Sequence, residues 1–451
     1  MAIVLAKSNS ISPARLAAFE ILRRVEEGSY ASVLLAAKEP ELAQLDRSLC
    51  HELVMGVLRQ QLWLDRLAQM YANRKVSDLD VPVRLALRLG LYQLRFLSRV
   101  PASAAVNESV NLVHFARLRS AAGLVNAVLR RATREPDVDP ARSIDDPIEK
   151  LAVSTSHPIW LVERWAKALG MEETEAFARA NNDPAPVAFR AVRNRAEEVE
   201  VCDQLRRDGA TLTPSRITTG AWRVVGGGTL LAELAARGKV YIQDEASQFV
   251  AAALDAHPGD RVLDLCAAPG SKTTQIADAT RDAAMIVAGD IHGHRLRSVV
   301  QTTQLQSLNS INCVVLDGTQ QLPFKTGAFD RVLVDAPCSG TGTLRRNPEI
   351  RWRISPESIE NLSRLQHQLI LQASEFVKPG GRLIYSTCSI ESDENESVAH
   401  AFLEKRKDFT PATLAGDASL ITGPGEARTS PHRQDVDGFY ISAFNRGLPE
   451  E

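Results

Sequence analysis

From about Gly238 onward, short apolar runs alternate with helical stretches, and no other feature of the chain constrains its fold as tightly. RVLDLCAA is followed by SKTTQIADA, and MIVAGDI by HRLRSVVQTTQ. INCVVLD and DRVLVDAP precede a long helix near 355–377 and then GRLIYSTCS. Strands that are apolar throughout must be covered on both faces, so the pattern predicts a parallel α/β sheet flanked by helices. Ligands bind such sheets beyond the carboxyl ends of the strands. The first run ends in LDLCAAPGSKTTQIA, where small residues allow close approach to the backbone and the helix start offers free N–H groups. The next three run out at Asp290, Asp317 and Asp335. One such Asp is as well explained by a turn or helix cap. Three in series favour a ligand with ribose hydroxyls and an amine, which S-adenosylmethionine fits. The loop lacks GxGxxG, which argues against a dinucleotide oxidoreductase.

The preceding sequence reads differently. Residues 12–133 carry helical periodicity, starting at Ser12 and Pro13 as N-cap and first turn. Further helices are predicted over 49–70, 81–97 and 105–131. The Pro- and Asp-rich stretch 135–150 reads as a linker. Two amphipathic helices follow, then a small unit of strand, helix and strands. The domains expected are 1–134, a linker at 135–150, a small helical and α/β subdomain over 151–236, and the parallel-sheet domain over 237–451.

The net charge of −2 conceals an uneven spread. Residues 1–134 hold 19 Lys and Arg against 11 Asp and Glu, leaving the remainder acidic. A basic helical third suits a polyanion such as RNA, and equally a solvated arginine-rich surface. The apolar stretch Val81–Val100 is interrupted by four arginines, so no membrane span is expected. MAIVLAKSNS is too short for a secretory signal, and the cytoplasm is the expected compartment.

Six cysteines, at 50, 202, 266, 313, 338 and 388, form no CxxC pair, so neither a zinc site nor a disulfide framework is expected. Cys338, in DAPCSGTGTLRRNPEIRW, and Cys388, in YSTCSIESDENE, each lie just beyond a predicted strand in a polar loop. One such thiol alone would read as a small buried hydrophobe. Two at strand ends point to chemistry. Carbon 5 of cytosine is a poor nucleophile, and a thiolate added to carbon 6 converts the ring into an enamine-like species able to attack a sulfonium methyl. The base must then lie outside any stack.

At these motifs the chain resembles the RNA cytosine carbon-5 methyltransferases of the NOL1/NOP2/Sun superfamily. CAAPGSK, DAPCSGTG with RRNPEIRW, YSTCSI with DENE, YIQDEASQ and DGFYISAF carry the likeness. SPARLAAFEILRRVEEG, VNESVNLV and GLVNAVLRR resemble the NusB-like domain fused to one branch of that superfamily. The resemblance implies an all-α NusB-like domain, a small α/β subdomain, and a Rossmann-like class I methyltransferase domain. It implies S-adenosylmethionine as cofactor, small-subunit (16S) ribosomal RNA as partner, a monomer, and no metal. Cys388 is then the nucleophile, and Cys338 assists release. Cys266, Ala267, Ala268, Pro269, Gly270, Ser271 and Lys272 form the cofactor loop. Asp290 holds the ribose, Asp317 the adenine side, and Asp335 the space between methionine moiety and base, with Lys272 also able to reach the base. Ser271 replaces the family's usual second Gly and fits only at negative φ. A transfer RNA cytosine methyltransferase and a non-catalytic RNA-binding or antitermination factor are the alternative readings.

Overall fold

The computed structural model describes residues 11–448, so MAIVLAKSNS lies outside the described residues. The chain divides into two compact units.

One unit comprises Met1–Asp183 with Leu344–Arg353. Its helices run over Pro13–Glu26, Ala31–Lys38, Gln44–Arg59, Gln61–Ala72, Val81–Phe96, Ala102–Phe115 and Ala122–Arg134, then Pro147–Thr155, Ile159–Leu169 and Met171–Ala180. The helices predicted over 49–70 and 105–131 are each broken. The first turns at Gln60, and the second at a corner where Arg117 takes φ 62. Leu53 and Val57 before the first corner, and Leu64 and Leu67 after it, are all buried in one core. The apolar spacing therefore continues through a bend that it does not register. Ser12 precedes the first helix as predicted but does not cap it. Its hydroxyl donates to Glu108 at 2.7 Å and accepts from Arg15. Of the arginines interrupting Val81–Val100, Arg88 is buried. It grips Asp65 at 2.7 and 2.8 Å and Glu26 at 2.7 Å, which satisfies a charge that would otherwise be costly inside the core. Among the described residues, no helix is long and apolar enough to cross a membrane.

Residues 344–353 carry the whole of RRNPEIRW and cluster with this helical unit, not with the catalytic sheet expected over 237–451. The reason lies in long-range hydrogen bonds. Fully buried Arg351 donates to the carbonyls of Ser156 (3.0 Å) and Asn181 (3.3 Å) and to Asn182 Oδ1 (3.0 Å). Arg353 donates to the carbonyls of Val25 and Ser29, and Glu349 accepts from the Ala31 amide. The unit boundary also falls at Asp183, inside the 151–236 stretch, so its helices and its strands separate.

The second unit holds two sheets. β1 (Val187–Ala191), β2 (Thr211–Pro214), β3 (Ala221–Val225) and β4 (Val240–Ile242) form an antiparallel sheet in the order β2-β3-β1-β4. Helices Glu198–Arg207 and Gly228–Ala236 lie between these strands in sequence, giving a split βαβ pattern. The larger sheet contains β5 (Arg261–Asp264), β6 (Met285–Asp290), β7 (Ile311–Val315), β8 (Phe329–Asp335), β9 (Val377–Thr387), β10 (Phe409–Pro411), β11 (Ile421–Gly423), β12 (Glu426–Arg428) and β13 (Tyr440–Arg446). Its order is β11-β12-β13-β9-β8-β5-β6-β7, with β10 against β13. β5 to β9 pair in parallel as predicted, whereas β13 runs antiparallel to β9. The chain winds outward from β5 to β7 and returns on the other side at β8, so β5 and β8 flank the switch point where such sheets open a crevice.

Arg351→Ala leaves two buried carbonyls and an amide oxygen without their donor. It should destabilise the helical unit by about 2–4 kcal/mol, read as earlier unfolding in urea. A wild-type midpoint would remove Arg351 from the anchoring role.

Candidate active site

Four acids stand at the carboxyl edge of the sheet. Asp264, Asp290 and Asp335 are the last residues of β5, β6 and β8, and Asp317 lies two residues beyond β7. Asp290 is buried and accepts from the amides of Ala268 (3.3 Å) and His292 (2.8 Å), which ties the cofactor-loop residues to the end of β6. Asp317 closes its own turn, accepting from the amide and hydroxyl of Thr319, and these bonds hold its carboxyl below the ordinary value. Asp264 escaped the sequence reading, although an acid inside the apolar RVLDLC was a visible signal. It is 1% exposed, accepts from Thr273 Oγ1 at 2.7 Å, and leaves Oδ1 buried without a hydrogen bond. Burial pushes its carboxyl up to about 7, against the Thr273 bond.

The loop between β5 and the helix Ser271–Ala279 has a cis Ala268–Pro269 bond. Gly270 takes φ 102, and Ser271 begins the helix, so the unusual residue sits where negative φ is required of it. A side chain at Gly270 would press on Val299 at 3.1 Å. Ala267 and Ala268 are buried against Val299 and Leu296. Cys266 packs beside the core under β8, where burial raises its thiol far above the ordinary value. It acts as a small hydrophobe. The orphaned Asp264 oxygen, the Asp290 carboxylate and the unobstructed backbone of this loop fit the amine and ribose groups of S-adenosylmethionine.

Lys272 reaches from this helix to Asp335, with Nζ 2.7 Å from Oδ2, and lies over the Phe439 ring at 5.2 Å. Burial opposes its charge, but Asp335 and the charge of Cys388 outweigh that and raise the ammonium's pKa. Asp335 also accepts from Ser386 at 2.8 Å. Two residues beyond Ser386, the Cys388 sulfur lies 3.3 Å from that of Cys338. The bond to Cys388 and burial together hold the Cys338 thiol well above its ordinary value, so Cys338 keeps its proton. The structure thus brings both cysteines, Lys272 and Asp335 together. Asp290 and Asp317 lie along the edge towards β6 and β7.

A backbone crossing holds the two cysteine loops. The Gly342 amide donates to the Cys388 carbonyl at 3.0 Å, and the Gly438 amide donates to the Gly342 carbonyl at 2.8 Å. A Cβ on Gly342 would fall 1.9 Å from the Gly438 oxygen, so nothing larger than glycine fits. DGFY was legible only as a matching motif. Its Gly438 and Phe439 prove to be parts of the site, as does buried Glu394 of DENE. Among the described residues, no group of three His, Cys, Asp or Glu side chains could hold a metal ion.

A family model described as 16S rRNA methyltransferase RsmB/F matches residues 251–445. The NusB family matches residues 12–134, and a RsmF/B-like ferredoxin-like domain matches residues 157–227. The chain is 33% identical to the probable ribosomal RNA small subunit methyltransferase B of Bacillus subtilis (strain 168), over 95% of this chain and 98% of that one. It is 36% identical to the protein of the same description from Synechocystis sp., over 96% and 99%. The crystal structure of PH0851 superposes with a TM-score of 0.84 at 27% identity, covering 97% of this chain and 99% of that one. A methyltransferase homolog protein from Pyrococcus horikoshii shares the fold, with a TM-score of 0.59 at 24% identity over 67% of this chain and 100% of that one. Full-length identity above 30% to these relatives, with family matches on all three parts of the chain, makes this protein a member of the ribosomal RNA small subunit methyltransferase B family.

Proposed function

We propose that the chain methylates carbon 5 of one cytosine in small-subunit ribosomal RNA, in the cytoplasm, with Cys388 as nucleophile. The observation that carries this is the pair of sulfurs 3.3 Å apart beside the Lys272–Asp335 ion pair, at the carboxyl edge of a methyltransferase sheet. The ribosomal substrate is named for the relatives, and their likeness over the whole chain supports carrying it over. The helical domain with its basic excess would grip the RNA backbone.

The loop Cys266–Lys272, with Asp264, Asp290 and Asp317 along the edge, would hold S-adenosylmethionine, which would supply an electrophilic methyl group. Cys388 as thiolate adds to carbon 6 of a base held out of its stack, forming a carbon–sulfur bond and pushing electron density to carbon 5. Lys272 offers a fixed positive charge to the ring as it gains that density, and Asp335 holds the ammonium in place. With carbon 5 methylated, its proton passes to a solvent base, the electrons of that carbon–hydrogen bond re-form the carbon 5–carbon 6 double bond, and the bond to Cys388 breaks. Cys338, with its proton retained and its sulfur within reach of Cys388, donates a hydrogen bond to the departing thiolate.

Cys338→Ala should therefore trap the enzyme on its RNA. A denaturing gel should show a protein–RNA adduct with S-adenosylmethionine and unmodified RNA, while turnover falls on the order of 100-fold. The double variant that also lacks Cys388 should form none. Sequencing the trapped RNA decides between ribosomal and transfer RNA. Wild-type protein that binds RNA but transfers no labelled methyl would favour a binding factor and overturn the proposal.

Asp264 gives a second test. Its folded pKa of about 7 lies above that of the unfolded chain, so the folded state binds the extra proton. The stability this adds is full below pH ~4 and is lost as pH rises through about 7. Relative to Asp264→Asn, the wild type should lose roughly 1 kcal/mol per pH unit across that window, measured by urea unfolding. A difference independent of pH would show that Asp264 ionises normally.

A further inference from the structure

Glu394 takes no part in the steps above, yet its carboxylate is fully buried directly behind both cysteine loops. Oε1 accepts from the Ser339 amide (2.8 Å) and from Gln366 Nε2 (2.9 Å). Oε2 accepts from the Ser339 hydroxyl and from the Ser389 hydroxyl (2.6 Å). Ser339 follows Cys338, and Ser389 follows Cys388. One side chain therefore binds the residue next to each sulfur. Gln366 adds a third tie, because the same Nε2 also donates to the carbonyl of Pro337, just before Cys338. Glu394 is itself fixed to β9. Tyr385 donates to its carbonyl, and its neighbour Asn395 accepts from Thr387 Oγ1 and donates to the Ser389 carbonyl at 2.9 Å.

We propose that Glu394 is a positioning residue for the reaction, a buried brace that sets the separation of the Cys338 and Cys388 sulfurs. This rests on the two-cysteine reading above. Four donors converge on a carboxylate that no water reaches, so its position is over-determined, and each bond transmits that position to a cysteine loop. A loop staple needed only for folding would affect yield and melting alone. A brace for the sulfurs acts on the chemical step, because displacing a reacting group by about 1 Å costs on the order of 100-fold in rate.

The experiment uses the full-length chain with Glu394→Gln, Glu394→Ala and the double variant Ser339→Ala/Ser389→Ala. Glu394→Gln keeps the shape, and both serine hydroxyls can turn to accept from its amide. It should melt near the wild type, keep KM for RNA and for S-adenosylmethionine within about 2-fold, and lose roughly 10-fold in kcat. Glu394→Ala should lose more. The serine double variant should reproduce the kcat loss, and adding Glu394→Gln to it should cost little further, since all three act through one brace. A second measurement needs no RNA. Diamide, a two-electron thiol oxidant, takes two hydrogens from Cys338 and Cys388 to join them in a disulfide. That closure should be several-fold slower in Glu394→Ala than in the wild type. Wild-type kcat and wild-type closure in the folded variants would overturn the brace. If the wild type transfers no methyl, the reaction assignment fails and the closure rate alone judges Glu394.

Discussion

The 2.7 Å ion pair between Lys272 and Asp335 joins the two strands that flank the switch point of the sheet. Lys272 comes from the helix after β5, and Asp335 ends β8. Either charge alone would be expensive at this depth, because stripping water from an unpaired ion costs several kcal/mol. Together, with the Ser386 hydroxyl on Asp335 and the Phe439 ring under Lys272, they are tolerated. The cofactor loop cannot shift without disturbing the loop that carries Cys338. Close beyond it, Gly342 and Gly438 cross at backbone distance, and the Gly342 amide holds the carbonyl of Cys388. The loop 266–272 and the two thiols are thus joined by one connected set of contacts.

The same residue type serves different ends along this edge because its surroundings differ. Asp264 is sealed in and shares little hydrogen bonding, so its carboxyl titrates near neutrality. Asp317 is half-buried, satisfied by Thr319 and held ionised. Asp335 is paired with a cation. The two cysteines face each other's sulfur, and that contact with burial holds the proton on Cys338. Equivalent strand ends therefore supply a neutralisable acid, a fixed anion and a counter-ion without any change of residue.

What could be read from the sequence was what repeats locally. The apolar runs of β5 and β6 report two-sided burial, β7 at the sheet edge keeps the apolar run while only partly covered, and strand-end Asp and Cys follow from where such runs stop. Corners were invisible, since Leu53 and Leu64 keep one spacing across the break at Gln60. So was the attachment of residues 344–353 to the helical unit. RRNPEIRW has no periodicity, and Arg351 finds its acceptors some 170 to 195 positions away in the chain. Ser12 had the right identity for a cap, but Glu108, distant in sequence, offered its hydroxyl a charged acceptor instead.

Glu394 shows where that limit falls inside a motif. DENE entered the sequence reading only as a matching motif, and charge patterning gives no reason to bury one of its acids. The reason is the Cys-Ser dipeptide, which occurs at both 338–339 and 388–389. Two hydroxyls and an amide facing inward need acceptors, more than the two lone pairs of a single carbonyl can supply. A carboxylate can, because its two oxygens accept several bonds together. The repeated Cys-Ser pair is visible in the sequence, but the need for a shared acid appears only once β8 and β9 are placed side by side. Adjacent parallel strands bring two loops 50 residues apart onto one anion, and both Cys-Ser steps rest on that polar floor.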